Sequence, residues 1–310
     1  MMEHLVKIIV AGLDNAGKTS ILTALDKKYD FHKDIISLTP TIRVEYHATE
    51  FLGQRVIFWD CGGQQKYREL YERKPDFYFD GTDLLVYIID IQDKERYENS
   101  LEYLERIMGY FIKNNIDVPL IISFHKYDPE IRNGAFYIEE IRNLREKVLV
   151  KYPNLKILFQ QTSIFDIISI IQLVSYGLSV FDEKFFELSE LLENYLNEFN
   201  CKSLILFDKN GIIISEFYSR EIQPEYYVEL LESIKEHLFL LKRMQEESYE
   251  AEYNLSSNGT GLLSYLHRLT IGRESLFISV ILQENQKDDF LENFSEFFTR
   301  LKDLLTPILS

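Results

Sequence analysis

Only two cysteines, Cys61 and Cys201, occur in 310 residues, too few and too far apart for a disulfide framework. The chain therefore reads as intracellular. Basic residues are also short: 34 Lys and Arg against 50 Asp and Glu give a formal net charge of -16. That balance disfavours direct binding to nucleic acid or to anionic lipid. The deficit is uneven, with residues 186–310 at net -11 and residues 1–185 at net -5. The six histidines show no metal-ligand spacing. The one long apolar segment, Ile164 to Phe181, is interrupted by Asp166, Ser169, Gln172 and Ser175, so it suits a buried helix rather than a membrane span. The apolar run at Leu5 is too short for a signal peptide, and neither a Met-Gly start nor a C-terminal prenylation box is present. A cytoplasmic chain that reaches membranes only through partners is the expectation.

What is present starts with Gly12-Leu13-Asp14-Asn15-Ala16-Gly17-Lys18-Thr19, set between the apolar run Leu5 to Val10 and a helix-like Ser20 to Leu25. The spacing G-x-x-x-x-G-K-[ST] is that of a phosphate-binding P-loop. Glycines at its ends let the backbone of Asp14, Asn15, Ala16 and Gly17 turn its N–H groups inward at a helix N-terminus, where a polyphosphate sits. Lys18 then reaches the outer phosphates, Thr19 offers a hydroxyl to Mg²⁺, and Ser20 completes the first helical turn.

Further on, Ile42 to Phe51 and Arg55 to Trp59 read as a hairpin around Leu52-Gly53-Gln54. Its second strand runs into Asp60-Cys61-Gly62-Gly63-Gln64, an acid ahead of two glycines. After a P-loop, Asp60 suits a Walker-B role on Mg²⁺, the Gly63 N–H suits a γ-phosphate, and Gln64 is placed to orient an attacking water. Leu84 to Ile89 is a buried strand followed by a helix-like Lys94 to Lys113. Pro119 to Phe124 is a strand ending in His125-Lys126-Tyr127-Asp128, and Lys156 to Gln160 is one ending in Thr162-Ser163-Ile164. In an open parallel sheet ligands bind outside the strand C-termini, so all these endings face one crevice. Asp128 suits the N1–H and 2-amino donors of guanine, which adenine lacks, and the Lys126 stem suits the base face.

The second half changes pattern. Asp182 to Phe199 reads as an amphipathic helix, with Ser203 to Phe207 and Ile212 to Phe217 as strands about the turn Asp208-Lys209-Asn210-Gly211. A helix from Pro224 to about Met244 follows, then strands Tyr249 to Asn254, Leu262 to Thr270 and Leu276 to Leu282, and a helix from Lys287 to Leu305. The order is αββαβββα. No catalytic constellation is visible in it, and Glu187, Glu190 and Glu193 fall at the spacing of a solvated helix face.

Five motifs in order resemble the small GTPases of the Ras superfamily over residues 1 to about 180. The P-loop, Pro40-Thr41 and Trp59-Asp60-x-Gly-Gly-Gln look like Arf. Phe51-Leu52-Gly53 leading to Trp59, His125-Lys126-x-Asp128 in place of Asn-Lys-x-Asp, and Thr162-Ser163-Ile164-Phe165-Asp166 resemble the Rag/Gtr family. The resemblance implies an α/β P-loop G domain with a doubly wound, mostly parallel sheet over residues 1–180. An α+β roadblock- or longin-like dimerisation domain is implied over residues 181–310. It implies a GTPase that binds GTP or GDP with Mg²⁺ held by Thr19, Asp60 and switch I Thr41, with Gln64, Lys18 and Thr41 as the catalytic set. Base contacts fall to His125, Lys126, Asp128, Ser163 and the Ile164 backbone N–H. Apart from Arg43, no arginine lies in the P-loop or beside Thr41, so a charge-neutralising arginine is expected from a partner and intrinsic turnover should be slow. The implied partners are a second GTPase chain, identical or related, roadblock or longin scaffold proteins, and activating and exchange proteins. The competing readings are a constitutively nucleotide-bound scaffold and an Arf-like trafficking GTPase.

Overall fold

The computed structural model describes residues 5–27, 38–51, 54–132, 134–155, 157–166, 169–173, 184–209, 213–219, 234, 236–237, 239–240, 253–257, 261–272 and 274–309. Its contacts divide the chain into a first unit containing Met1–Glu50 and Gln54–Gly177 and a second containing Leu178–Ser310.

In the first unit, β1 (Val6–Gly12), β2 (Val44–Phe51), β3 (Gln54–Cys61), β4 (Leu84–Asp90), β5 (Leu120–His125) and β6 (Ile157–Thr162) form one sheet in the order β2-β3-β1-β4-β5-β6. The pairs β1/β3, β1/β4, β4/β5 and β5/β6 are parallel. Strands covered on both faces need apolar residues without alternation. Val6, Ile8, Ile9, Val10 and Ala11 of β1 and all of Leu84 to Ile89 of β4 are buried. The helices are α1 (Lys18–Lys27), α2 (Gln65–Arg73), α3 (Pro75–Phe79), α4 (Tyr97–Lys113) and α5 (Ala135–Lys151). Helix α4 buries Tyr103, Leu104, Ile107, Met108 and Phe111, a continuous 3.6-residue stripe. The order turns about β1, whose neighbours in the sheet on the two sides are β3 and β4, and this switch point puts the mouth of the site at the C-terminal end of β1.

Several boundaries differ from the sequence expectation for identifiable reasons. Strand β5 runs through His125, which pairs with Asp90 on one side and Thr162 on the other. The histidine is thus the end of a strand and not the start of a loop. Strand β6 likewise extends through Thr162. The expected helix from Lys94 opens as a 3₁₀ turn, Lys94–Arg96, before α4 begins at Tyr97. Helix α5 has no legible apolar period in the sequence. It buries only Ile141, Leu144 and Val148 and leaves Phe136, Ile138, Leu149 and Val150 exposed, which blurs its period. Leu52 and Gly53 of the expected hairpin turn lie outside the described residues.

In the second unit, α6 (Lys184–Glu198), β7 (Ser203–Asp208), β8 (Ile213–Tyr218), β9 (Tyr253–Ser257), β10 (Leu262–Ile271), β11 (Glu274–Gln283) and α7 (Lys287–Leu309) follow in order. The five strands make a sheet in the order β8-β7-β11-β10-β9 with antiparallel pairs. This fits a roadblock-like domain. Phe290, Phe294, Phe297, Leu301 and Leu305 give α7 one buried stripe, and Tyr195 of α6 stacks on Phe297 with ring centroids 3.8 Å apart. The expected strand from Tyr249 is described only from Tyr253, and it runs to Ser257. Asn210 and Gly211, residues 249–252 and most of the expected helix from Pro224 to Met244 lie outside the described residues. Within that stretch His237 is buried with Nδ1 2.6 Å from Ser279 Oγ. Burial lowers its pKa to about 4.

Candidate nucleotide site

The loop between β1 and α1 is turned by two residues in the left-handed region, Asn15 (φ 61°) and Gly17 (φ 94°). Asparagine tolerates that region and glycine adopts it freely. Gly17 has a second requirement, because a Cβ there would lie 2.3 Å from His125 Cδ2. The end of β5 is thereby packed on the phosphate loop. Lys18, only 5% exposed, turns its ammonium back to donate to the carbonyls of Leu13 at 2.7 Å and Gly12 at 3.2 Å. Burial lowers its pKa, with the nearby Asp60 opposing that shift.

Three oxygen-bearing side chains from different elements meet beside the lysine. Thr19 Oγ1 on α1 and Thr41 Oγ1 ahead of β2 are 2.8 Å apart. Both donate to Asp60 Oδ2 on β3, at 2.5 and 3.2 Å. Asp60 is fully buried and its Oδ1 has no hydrogen-bond partner. Glu45 and His47 of β2 bring further ligand-type atoms, and one from each of Glu45, His47 and Asp60 lie within 4.8 Å of one another.

The glycine pair after Asp60 is pressed between two loops. The Gly62 N–H donates to the Arg43 carbonyl at 2.7 Å. A Cβ on Gly63 would lie 2.3 Å from both the Leu13 carbonyl carbon and the Asp14 nitrogen, so only glycine lets this segment approach the phosphate loop so closely. Tyr71 on α2 donates its hydroxyl to the same Arg43 carbonyl at 2.5 Å. Gln64 is the N-cap residue of α2, in extended backbone, and its side chain makes no capping bond. Together with Asp14, Asn15, Gly17, Lys18 and Thr19 it lines an open cleft of about 270 Å³, which Ser20, Thr41 and Gly63 also border. Ala16 is buried beneath the loop, its N–H bonded to the Leu13 carbonyl.

The second part of the site lies at the ends of β5 and β6. Asp128 Oδ1 accepts from Ser163 Oγ at 2.6 Å and its Oδ2 from Gln92 Nε2 at 2.9 Å. Lys126 (φ 62°) pairs with Asp90 at 2.6 Å. His125 is 2% exposed and its Nδ1 is 2.9 Å from Thr162 Oγ1, which is itself 2.6 Å from Ser123 Oγ. Burial depresses the His125 pKa to about 3, with Lys126 adding to the effect, so the ring is neutral at pH 7. Ile164 sits in the turn that the Asp166 N–H closes on the Ser163 carbonyl.

Two arginines approach the phosphate loop without belonging to any motif. Arg96 donates to the Asp14 carbonyl at 3.1 Å and to its carboxylate at 2.6 Å. Arg68 donates to the Gly63 carbonyl at 2.9 Å and lies 5.1 Å from the Tyr103 ring centre. Arg96 and Asp14 are 82 residues apart, so no local spacing could reveal the contact.

A phosphate loop at the sheet's switch point, sharing its cleft with residues that follow an acid on β3, places the first unit among the P-loop GTPases. The profile of the ADP-ribosylation factor (Arf) family matches residues 1–176, and the chain belongs to that family. It is similar to Ras-related GTP-binding protein A of Dictyostelium discoideum, 24% identical over 266 residues that cover 81% of this chain and 83% of that protein. It is likewise similar to GTP-binding protein gtr1 of Schizosaccharomyces pombe, 25% identical over 235 residues covering 70% of each. ADP-ribosylation factor-like protein 3 of Chlamydomonas reinhardtii is 36% identical over 139 residues, 45% of this chain and 71% of that protein. The two longer alignments exceed the 176 residues of the Arf match and so extend into the second unit. The chain is a Rag/Gtr-like GTPase that binds and hydrolyses GTP.

Proposed function

We propose that this GTPase is a slow, Mg²⁺-dependent molecular switch that works in a Rag-like dimer. The observation that carries this reading is the meeting of Thr19, Thr41 and Asp60. Hydroxyl and carboxylate oxygens are the hard donors that Mg²⁺ takes, and Asp60 Oδ1, buried without a hydrogen-bond partner, is an atom that a cation or its water shell would satisfy. Thr41 belongs to a different loop from Thr19, so a cation bound by both would tie the segment ahead of β2 to the phosphate loop. Loss of the γ-phosphate would release it.

Within this reading the phosphates lie against Asp14, Asn15, Ala16, Gly17, Lys18, Thr19 and Ser20. The Gly63 N–H meets the γ-phosphate, and Gln64 orients water. Guanine lies against Lys126, Asp128, Ser163 and Ile164, with neutral His125 bracing the base site on Gly17. Thr19, Thr41 and Asp60 would hold Mg²⁺, which when bound would supply positive charge against the phosphates. Arg68 and Arg96 are both engaged by protein groups, which favours an activating partner as the source of a further positive charge. Chelating the metal is expected to accelerate release of GDP labelled with a fluorophore on its ribose. Identical release with and without chelator would overturn the assignment of Thr19, Thr41 and Asp60.

Residues 181–310 are the proposed dimerisation domain. Its edge strands β8 and β9 carry backbone groups that a second sheet can pair. Scaffold and exchange proteins, and membrane residence borrowed from them, belong to the same reading. Among the described residues no helix is long and apolar enough to cross a membrane. Light scattering of the full chain at tens of micromolar is expected to give twice the chain mass. A monomer that also stays monomeric when mixed with a related GTPase would overturn the dimer.

A further inference from the structure

Gln92 lies in the turn after β4, outside every motif of the GTPase site, yet it reaches into the base site. Its Nε2 donates to Asp128 Oδ2 at 2.9 Å and to the Lys126 carbonyl at 2.8 Å. Both partners are acceptors only, so the amide is oriented with its nitrogen inward and both of its hydrogens are spent. The turn that presents it is itself held. The Gln92 N–H donates to Asp90 Oδ1 at 2.9 Å, while Asp90 Oδ2 takes the Lys126 ammonium at 2.6 Å. Asp90, Gln92 and Lys126 thus close a ring of hydrogen bonds between the end of β4 and the end of β5, and Asp128 is tied to that ring through Gln92.

We propose that Gln92 is a positioning residue for base selection, aiming the Asp128 carboxylate through Oδ2 as Ser163 aims it through Oδ1. The proposal rests on the reading of Asp128 as the guanine acceptor. An ionised carboxylate has about four lone-pair sites, two on each oxygen. Ser163 occupies one on Oδ1 and Gln92 one on Oδ2. One site remains on each oxygen, and guanine offers two donors, N1–H and the 2-amino group. The torsion that sets the carboxylate plane is broad and two-fold in a free aspartate. With a donor fixed on each oxygen that plane is held, and one acceptor site on each oxygen stays open for a guanine donor. Gln92 also bonds the carbonyl of Lys126, a residue with a Cβ in the left-handed region, a conformation that persists only where its surroundings hold it. One side chain therefore supports both the carboxylate that reads the base and the backbone turn that presents it.

A residue that only stabilises the loop would weaken all nucleotides alike. One that aims Asp128 changes the ratio between guanine and hypoxanthine nucleotides, because hypoxanthine keeps N1–H and lacks the 2-amino group. The test is competition of GDP and IDP against ribose-labelled fluorescent GDP, with Mg²⁺, on the full chain and on Gln92→Ala and Gln92→Glu. Wild type is expected to prefer GDP over IDP. In Gln92→Ala, GDP affinity should fall about tenfold and the GDP:IDP preference should shrink, as expected for loss of a hydrogen bond to a charged group. Gln92→Glu, which sets a second carboxylate against Asp128, should lose more of both. A wild type that prefers GDP, with that preference undiminished in both variants, overturns the role of Gln92 alone. A wild type that does not distinguish GDP from IDP overturns the reading of Asp128, and this proposal with it.

Discussion

Lys18→Ala is expected to abolish GTP and GDP binding. The ammonium is almost fully buried and its protein partners are two carbonyls of its own loop, Gly12 and Leu13. Those contacts hold the side chain in place but, among the described residues, leave its positive charge without a directly bonded anion, and burial opposes that charge. A polyphosphate in the cleft would supply the anion at the position where the group is already desolvated. Losing a charge-assisted contact of this kind costs on the order of 3 kcal/mol or more, which is over a hundredfold in affinity. The variant should fold, because alanine is the best helix former and Lys18 opens α1. Calorimetric titration of wild type and variant with GDP decides the matter, and equal affinities would remove the phosphate-loop assignment.

The parts of the site that were legible in the sequence are those whose chemistry is carried by neighbours in the chain. Gly12 to Thr19 reads as a phosphate turn because the strand, the glycines, the lysine and the threonine lie within a few residues of one another. Asp60 with Gly62 and Gly63 reads the same way once the loop before it is known. Contacts that cross the sheet left no such trace. Gln92 and Asp128 are 36 residues apart and Arg96 and Asp14 are 82 apart, and Gln92 and Arg96, which reach the two motif acids, are ordinary polar residues in ordinary turns. Parallel pairing is what joins them, because β1, β4 and β5 lie side by side and their following turns must meet. The absence of any arginine in the P-loop is correct as a statement about the motif, but it overlooked Arg68 and Arg96, which arrive from α2 and from the turn ahead of α4. In the second unit the positions of the strands along the chain were legible from their apolar runs and the turn residues after Phe207, whereas α5 of the first unit escaped because four apolar side chains on it face solvent.

Gln64→Leu is expected to slow GTP hydrolysis on the order of a hundredfold, the scale on which a residue that orients or deprotonates the nucleophile contributes, while leaving GTP affinity unchanged. Gln64 stands where the chain leaves Gly63 and enters α2, and its carbonyl accepts the N–H groups of Tyr67 and Arg68. Those bonds fix its backbone whatever the side chain is, so leucine, of similar size, should not disturb the start of the helix. The lost property is the amide, which can accept from one proton of a water and donate to a developing charge at the same time. Such an interaction strengthens as the water attacks, so its removal lowers the rate constant without weakening the ground-state complex. Single-turnover hydrolysis with GTP and Mg²⁺, beside a binding titration with a non-hydrolysable analogue, separates the two quantities. Equal rates in wild type and variant would take Gln64 out of catalysis and favour a chain that holds its nucleotide as a structural part. A fall in analogue affinity matching the fall in rate would mean that the amide contacts bound GTP itself, and its role would then be ground-state binding.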